Sequence, residues 1–142
     1  MISEAFPKRI LGSGTAAMTV SAIGFGAMGT TYHRGAAPEK KSLLSLFARA
    51  VELGCTFFDT AAVYGPFTNE LLVGHCIHAD GSHQSGELDS SPAAIRRSCE
   101  ASLKRLRSET IDLFYQHRFD PKVPIEEVAG VVADLIREGK VQ

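Results

Sequence analysis

The chain has 142 residues, 44% of them hydrophobic and 22% charged, which is the composition of one folded globular domain and excludes a disordered or fibrous chain. A formal net charge of -1, with basic residues spread along the sequence, gives no footprint for nucleic acid or for an anionic membrane surface. No run of about 18 apolar residues occurs and the N-terminus MISEAFPKRI lacks an apolar signal core, so a cytoplasmic protein with no membrane partner is expected.

Arg9 to Leu11 and Met18 to Val20 flank the small-residue stretch GSGTAA and read as a short hairpin. Ala22 to Gly26 follows as a strand ending in Gly-Ala-Met-Gly, where glycine lets the backbone turn sharply or approach a ligand. Pro38 is expected to open a helix that Gly54 stops, with Leu43, Leu44, Phe47, Ala48 and Val51 on its inward face. Cys55 to Asp59 reads as a short apolar strand ending in a carboxylate; a loop through Tyr64 leads to a helix that begins near Asn69 and ends near Gly74. Ser91 caps and Pro92 starts the next helix, with Ile95, Cys99, Leu103 and Leu106 at helical spacing and Arg96, Arg97, Lys104 and Arg107 opposite them. Thr110 to His117 reads as another strand. Pro124 opens a last helix with Val128, Val131, Val132, Leu135 and Ile136 inward; Glu126 and Glu127 complement the dipole of its first turn, and Gly139 closes it.

Strands alternating with helices over short connections call for a parallel sheet, and units of this length fit either a barrel or a doubly wound sheet. Residues 75–90 break the alternation. Only Ile77 and Leu88 are large aliphatics there, so no buried strand is expected, because parallel strands read as near-continuous Val, Ile and Leu runs. His75, Cys76, His78 and His83 in that interval are ligand types for zinc, yet their spacing matches no standard zinc site, and a polar loop without metal is the preferred reading. Cys55, Cys76 and Cys99 form no CxxC pair, and an odd number disfavours a disulfide framework.

Asp59 and His117 stand at the C-terminal ends of predicted strands, the face on which α/β barrels gather catalytic groups, and Tyr64 lies in the loop after Asp59. Position alone also suits a turn-forming aspartate, a loop aromatic and a buried histidine bonded to backbone. The surrounding motifs carry a resemblance. GFGAMG at Gly24 to Gly29, FFDTAAVYG at Phe57 to Gly65 with Asn69-Glu70, EASLKRL at Glu100 to Leu106, and IDLFYQHRFDP at Ile111 to Pro121 are together similar to the aldo/keto reductases, as is the end from Pro124 to Val141.

That resemblance implies an eight-stranded (β/α) barrel entered by an N-terminal hairpin, and hydride transfer between NADPH and an aldehyde or ketone. It implies that Tyr64 is the general acid at the carbonyl oxygen, and that His117 orients the carbonyl or shares the proton. Gly26, Ala27, Met28 and Asp59 would lie beside the cofactor. A free tyrosine has a pKa of about 10 and needs help to release its proton at neutral pH. In the family a lysine at the end of the third strand supplies that help, and the aspartate matching Asp59 holds the lysine.

The sequence departs from this pattern in two places. The third strand should fall within residues 75–90, and none of the six lysines, Lys8, Lys40, Lys41, Lys104, Lys122 and Lys140, lies there. The 142 residues also reach only the midpoint of a barrel that takes about 250. The expectation is therefore an α/β chain whose residues 1–142 form an incomplete aldo/keto reductase domain, a partial (β/α)8 TIM barrel with an N-terminal hairpin, lacking the third strand and the second half. Asp59 would be without its partner, NADP(H) binding weak or absent, and carbonyl reduction lost. The alternative is a non-enzymatic protein that associates with itself or a partner through open barrel edges.

Overall fold

The computed structural model describes residues 6–32, 35–36, 38–65, 67–77, 89–118 and 120–142. The chain enters through a hairpin of β1 (Lys8–Leu11) and β2 (Met18–Ser21), paired antiparallel from Lys8 opposite Ser21 to Leu11 opposite Met18. Ser21 fastens this hairpin to the body: its N–H donates to Thr56 Oγ1 at 2.9 Å, and the Thr56 N–H donates to Ser21 Oγ at 3.0 Å.

A parallel β-α-β unit follows. Strand β3 (Phe25–Gly26) pairs with β4 (Phe58–Asp59), and α1 (Lys40–Glu52) connects them. Both strands are shorter than the apolar runs suggest, although Phe25 N–H to Phe57 O and Ala27 N–H to Asp59 O, each 2.8 Å, carry the pairing one residue further. Leu43 and Phe47 of α1 turn inward onto Ala27, Leu72 and Val73, with Phe25 and Phe58 packed against them. The Phe25 and Phe47 rings meet with centroids 4.7 Å apart. Val51, expected inside, is 56% exposed: it lies on the inward stripe, but no described residue buries it. Pro38 precedes the helix, with Glu39 at its N-cap.

Helix α2 (Thr68–Ile77) continues past Gly74, the end that the sequence suggests for it. Gly74 has a different reason to be glycine. A Cβ there would lie 2.3 Å from the Arg105 carbonyl oxygen and 2.9 Å from Leu106 Cα, so Gly74 marks where α2 crosses α3 (Pro92–Leu106) at backbone contact. Beside that crossing, Arg105 Nε donates to Glu70 Oε2 at 2.6 Å, its guanidinium reaches Ser102 Oγ at 3.1 Å, and its Cζ lies 4.6 Å from the Phe67 ring centroid.

Helix α3 begins as expected, Pro92 in its first turn and the Ser91 hydroxyl accepting from Ala94 N–H. Its far end joins two cores, because Leu106 packs on the first cluster while Ile95, Cys99 and Leu103 pack on a second with Val131, Leu135 and Val141. Helix α4 (Ile125–Arg137) supplies Val128, Val131 and Leu135 to the interior, whereas Ile136 is 48% exposed. The predicted strand over residues 110–117 contributes one parallel bridge, Ile111 with Val141, made by Ile111 N–H to Lys140 O and Gln142 N–H to Ile111 O. A ladder needs a strand as neighbour, and among the described residues no strand pairs with residues 112–117.

The architecture is thus α/β, a β-α-β unit continued by helices, with no closed barrel among the described residues. Residues 78–88, where the absence of a third strand was expected and where His78 and His83 fall, lie outside the described residues, and of His75 and Cys76 only the helical backbone is described. Among the described residues no helix is long and apolar enough to cross a membrane.

Candidate active site

The parallel pairing of β3 and β4 brings Gly26, Ala27 and Asp59 to one edge of the sheet. Ala27 is fully buried and its backbone is fully used: its N–H bonds to Asp59 O, and its carbonyl accepts from Thr30 Oγ1 at 2.7 Å and from Asn69 Nδ2 at 2.8 Å. Ala27 therefore braces the loop. Gly26 is open by contrast, since a Cβ there would meet nothing within 4 Å. Met28 starts the short 3-10 turn Met28–Thr30.

Asn69, at the start of α2, organises this corner. It is fully buried, its amide nitrogen lies 3.0 Å from Thr30 Oγ1 and 2.7 Å from Thr31 Oγ1, and its Oδ1 accepts from Thr60 Oγ1 at 2.7 Å. One side chain thus ties the loop after β3 to the loop after β4. Sequence reasoning used Asn69 only as part of an Asn-Glu motif at a helix start; the cue it held was an amide placed where a helix begins close behind a candidate site loop.

Tyr64 sits in the loop after β4, where Gly65, at φ +70, turns the chain back with its carbonyl accepting from the Thr68 hydroxyl at 2.5 Å. The Tyr64 ring stacks with Tyr32, centroids 6.2 Å apart at 24°, and meets the His117 ring edge-on, centroids 5.6 Å apart at 85°. His117 lies in the segment after Ile111. That segment is pinned from below: Gln116 Nε2 donates to Ser90 Oγ at 2.7 Å, and the buried Asp120 accepts from Ser90 N–H at 3.2 Å and Lys122 N–H at 3.0 Å.

Asp59 has a partner other than the lysine that the resemblance implies. The Tyr115 hydroxyl donates to Asp59 Oδ1 at 2.6 Å. No lysine forms an ion pair with Asp59 among the described residues, and a phenol two residues before His117 reaches the carboxylate instead. The hydrogen bond to Asp59, foremost, and then burial push the Tyr115 phenol up to about 12, because ionising it would put a second negative charge against the carboxylate. Tyr115 stays 54% exposed, so the pair is partly solvated.

The structure thus brings Tyr64 against His117, Asp59 against Tyr115, and leaves Gly26 open at the same sheet edge. Chemically this is a phenol and an imidazole able to donate hydrogen bonds, next to a carboxylate already engaged by a second phenol. Among the described residues no cluster of three or more His, Cys, Asp or Glu could hold a metal ion. An open apolar groove of about 190 Å³, lined by Phe6, Ile23, Phe25, Leu46 and Leu53, contains none of these polar residues.

Comparison with known proteins agrees with the geometry. The family model described as "Aldo/keto reductase family" matches residues 22–142. The Glycine max protein named "Probable aldo-keto reductase 1" is 40% identical over 144 aligned residues, covering 91% of this chain and 42% of its own length. Among solved structures, the holo form of aldo-keto reductase AKR11C1 from Bacillus halodurans superposes with a TM-score of 0.80 at 26% identity, covering 96% of this chain and 48% of that one. The thermostable aldo-keto reductase Tm1743, solved with the inhibitor epalrestat, gives 0.76 at 25% identity over 94% of this chain and 51% of that one. The chain therefore spans about half the length of the relatives it matches.

Proposed function

The chain belongs to the aldo/keto reductase family, and on that premise we propose that it carries the proton-handling groups of an NADP(H)-dependent reductase acting on a small aldehyde or ketone. The observation that carries the reading is the meeting of Tyr64 and His117, from loops 53 residues apart in sequence, with ring centroids 5.6 Å apart. Tyr64 donates its phenolic proton to the carbonyl oxygen, and His117 orients that oxygen. NADPH, if bound at this site, would supply the hydride. Gly26, with open space where a side chain would stand, suits the approach of a flat ring; Met28, two residues further on, and Asp59, opposite Gly26 in the strand pairing, are the other residues proposed to meet the cofactor. Ala27 contributes as a brace, since both of its backbone groups are already bonded.

Proton release from a phenol is helped by a neighbouring cation. The Tyr115–Asp59 pair offers a neutral phenol and an anion, so turnover by this chain is slow. Two buried free thiols, Cys55 and Cys99, suit a reducing compartment such as the cytoplasm. The test is NADPH oxidation by purified soluble protein with a simple aldehyde. Tyr64→Phe should lower the rate by about 100- to 10,000-fold. No detectable turnover by folded protein, or a rate that Tyr64→Phe leaves unchanged, overturns the reading.

One observation favours a second activity, self-association. Ile23, Leu46 and Val51 are 58%, 47% and 56% exposed, and Ile125 and Ile136 of α4 are 52% and 48% exposed, apolar surface that a second copy could cover. Sedimentation velocity over a concentration series should show a growing dimer; a monomer at every concentration removes this reading.

A further inference from the structure

We propose that Tyr115 is the positioning residue for Asp59 in this chain, its hydroxyl standing beside the carboxylate where the family pattern calls for a lysine. The proposal rests on the reductase reading only for its effect on rate; the pairing itself stands on geometry. Tyr115 and Asp59 are 56 residues apart and belong to segments that share no strand ladder among the described residues. Their 2.6 Å hydrogen bond is the described polar tie between the end of β4 and the segment that carries His117. Each side of that tie is anchored independently. The Asp59 carbonyl is held by Ala27 N–H at 2.8 Å, while Gln116, next to Tyr115, is held on Ser90 at 2.7 Å. Fixing the Asp59 carboxylate through Tyr115 therefore also fixes the spacing between the Asp59 end of the sheet and the Tyr64–His117 contact.

The substitution of a phenol for an ammonium keeps the hydrogen bond but not the charge. A lysine side chain reaches about as far from its Cα as a tyrosine hydroxyl, so Tyr115→Lys would place a cation against Asp59 and close to Tyr64. Tyr115 is 54% exposed, so neither Tyr115→Lys nor Tyr115→Phe opens a cavity in either core.

Two measurements on the full chain test this. With ring-labelled tyrosine, the Tyr115 Cζ resonance, assigned by its loss in Tyr115→Phe, should move at neutral pH on Asp59→Asn by more than that of Tyr32. A Tyr115 shift no larger than that of Tyr32 overturns the pairing. In the NADPH assay Tyr115→Lys should raise kcat roughly tenfold, the effect of about 1.4 kcal/mol on the barrier, with KM for the aldehyde little changed, while Tyr115→Phe lowers kcat. A Tyr115→Phe rate no lower than that of the starting chain overturns the positioning role. Tyr64→Phe in the Tyr115→Lys background separates the two ideas: if it spares the rate, the reductase assignment of Tyr64 fails, while the resonance shift still decides the Tyr115–Asp59 pair.

Discussion

Replacing Gly74 and Gly130 separately by alanine should shift stability in opposite directions, although both glycines lie within helices. Alanine removes about 1 kcal/mol of helix-propensity penalty at either position. At Gly130 of α4 that gain stands alone, because an added Cβ would meet nothing within 4 Å. At Gly74 the methyl would lie 2.3 Å from the Arg105 carbonyl oxygen, 2.9 Å from Leu106 Cα and 3.1 Å from its carbonyl carbon. These neighbours are backbone, which cannot rotate aside, so α2 and α3 must separate by about 1 Å to restore ordinary contact. Separation stretches the 2.6 Å Glu70–Arg105 bond and lifts Leu106 from the first core. Overpacking typically costs 1–3 kcal/mol; with a rigid neighbour the upper end applies, leaving Gly74→Ala about 2 kcal/mol less stable after the propensity gain. For a domain of 142 residues that corresponds to a Tm lower by roughly 6–8 °C. Urea and thermal melts followed by circular dichroism measure both variants. If Gly74→Ala melts at or above the temperature of the starting chain, helix contact at Gly74 is not the reason for its glycine.

Three further outcomes follow from the same structure. Arg105→Met strands Glu70, whose side chain is 4% exposed, without its cation and should cost about 3–5 kcal/mol in urea melts; a loss below about 1 kcal/mol would contradict the buried pair. The folded state holds the Tyr115 phenol at about 12, above its ordinary 10, so its contribution is complete below pH 10 and fades as the pH rises through 12. Stability should therefore fall more steeply across that window than in Tyr115→Phe, and parallel curves would refute the assignment. Burial, ahead of its charged neighbours, pushes the Cys99 thiol up, and the residue is fully buried. Iodoacetamide should therefore label Cys99 only after unfolding; native labelling at the unfolded rate would show that α3 and α4 do not close over it.

Features that depend on a few neighbouring residues were legible in the sequence. The Ser91-Pro92 start of α3 is one, since a hydroxyl cap and a proline without a needed N–H act on the turn they begin. Gly139 is another: at φ +73 it ends α4 by local conformation. Gly74 shows the limit of this reasoning. Its residue type is that of a helix stop, but its cause is the Arg105 carbonyl of a helix 31 residues away, which no local pattern contains. Val51 and Ile136 show a related limit, because periodicity identifies the face a residue occupies but not whether anything covers that face. Residues 110–117 have the apolar content of a strand, yet among the described residues only Ile111 makes a strand bridge, with Val141.

The candidate site divides along the same line. Asp59, Tyr64 and His117 were visible because family motifs surround them, whereas Tyr115, inside one of those motifs, was not, because its role depends on a carboxylate 56 residues away lacking a lysine. On the proposed reading the family lysine does two jobs, and Tyr115 takes over one of them. Holding Asp59 requires a hydrogen-bond donor of the right reach, and Tyr115 supplies one at 2.6 Å. Helping Tyr64 give up a proton requires positive charge, and a neutral phenol supplies none. A lysine–aspartate pair brings a positive charge to the site, while the tyrosine–aspartate pair brings none. Geometry is retained where charge is not. A defect in architecture would need a strand to repair it; a defect in charge needs one ammonium, and Tyr115, half-exposed and 2.6 Å from Asp59, is the position at which to introduce it.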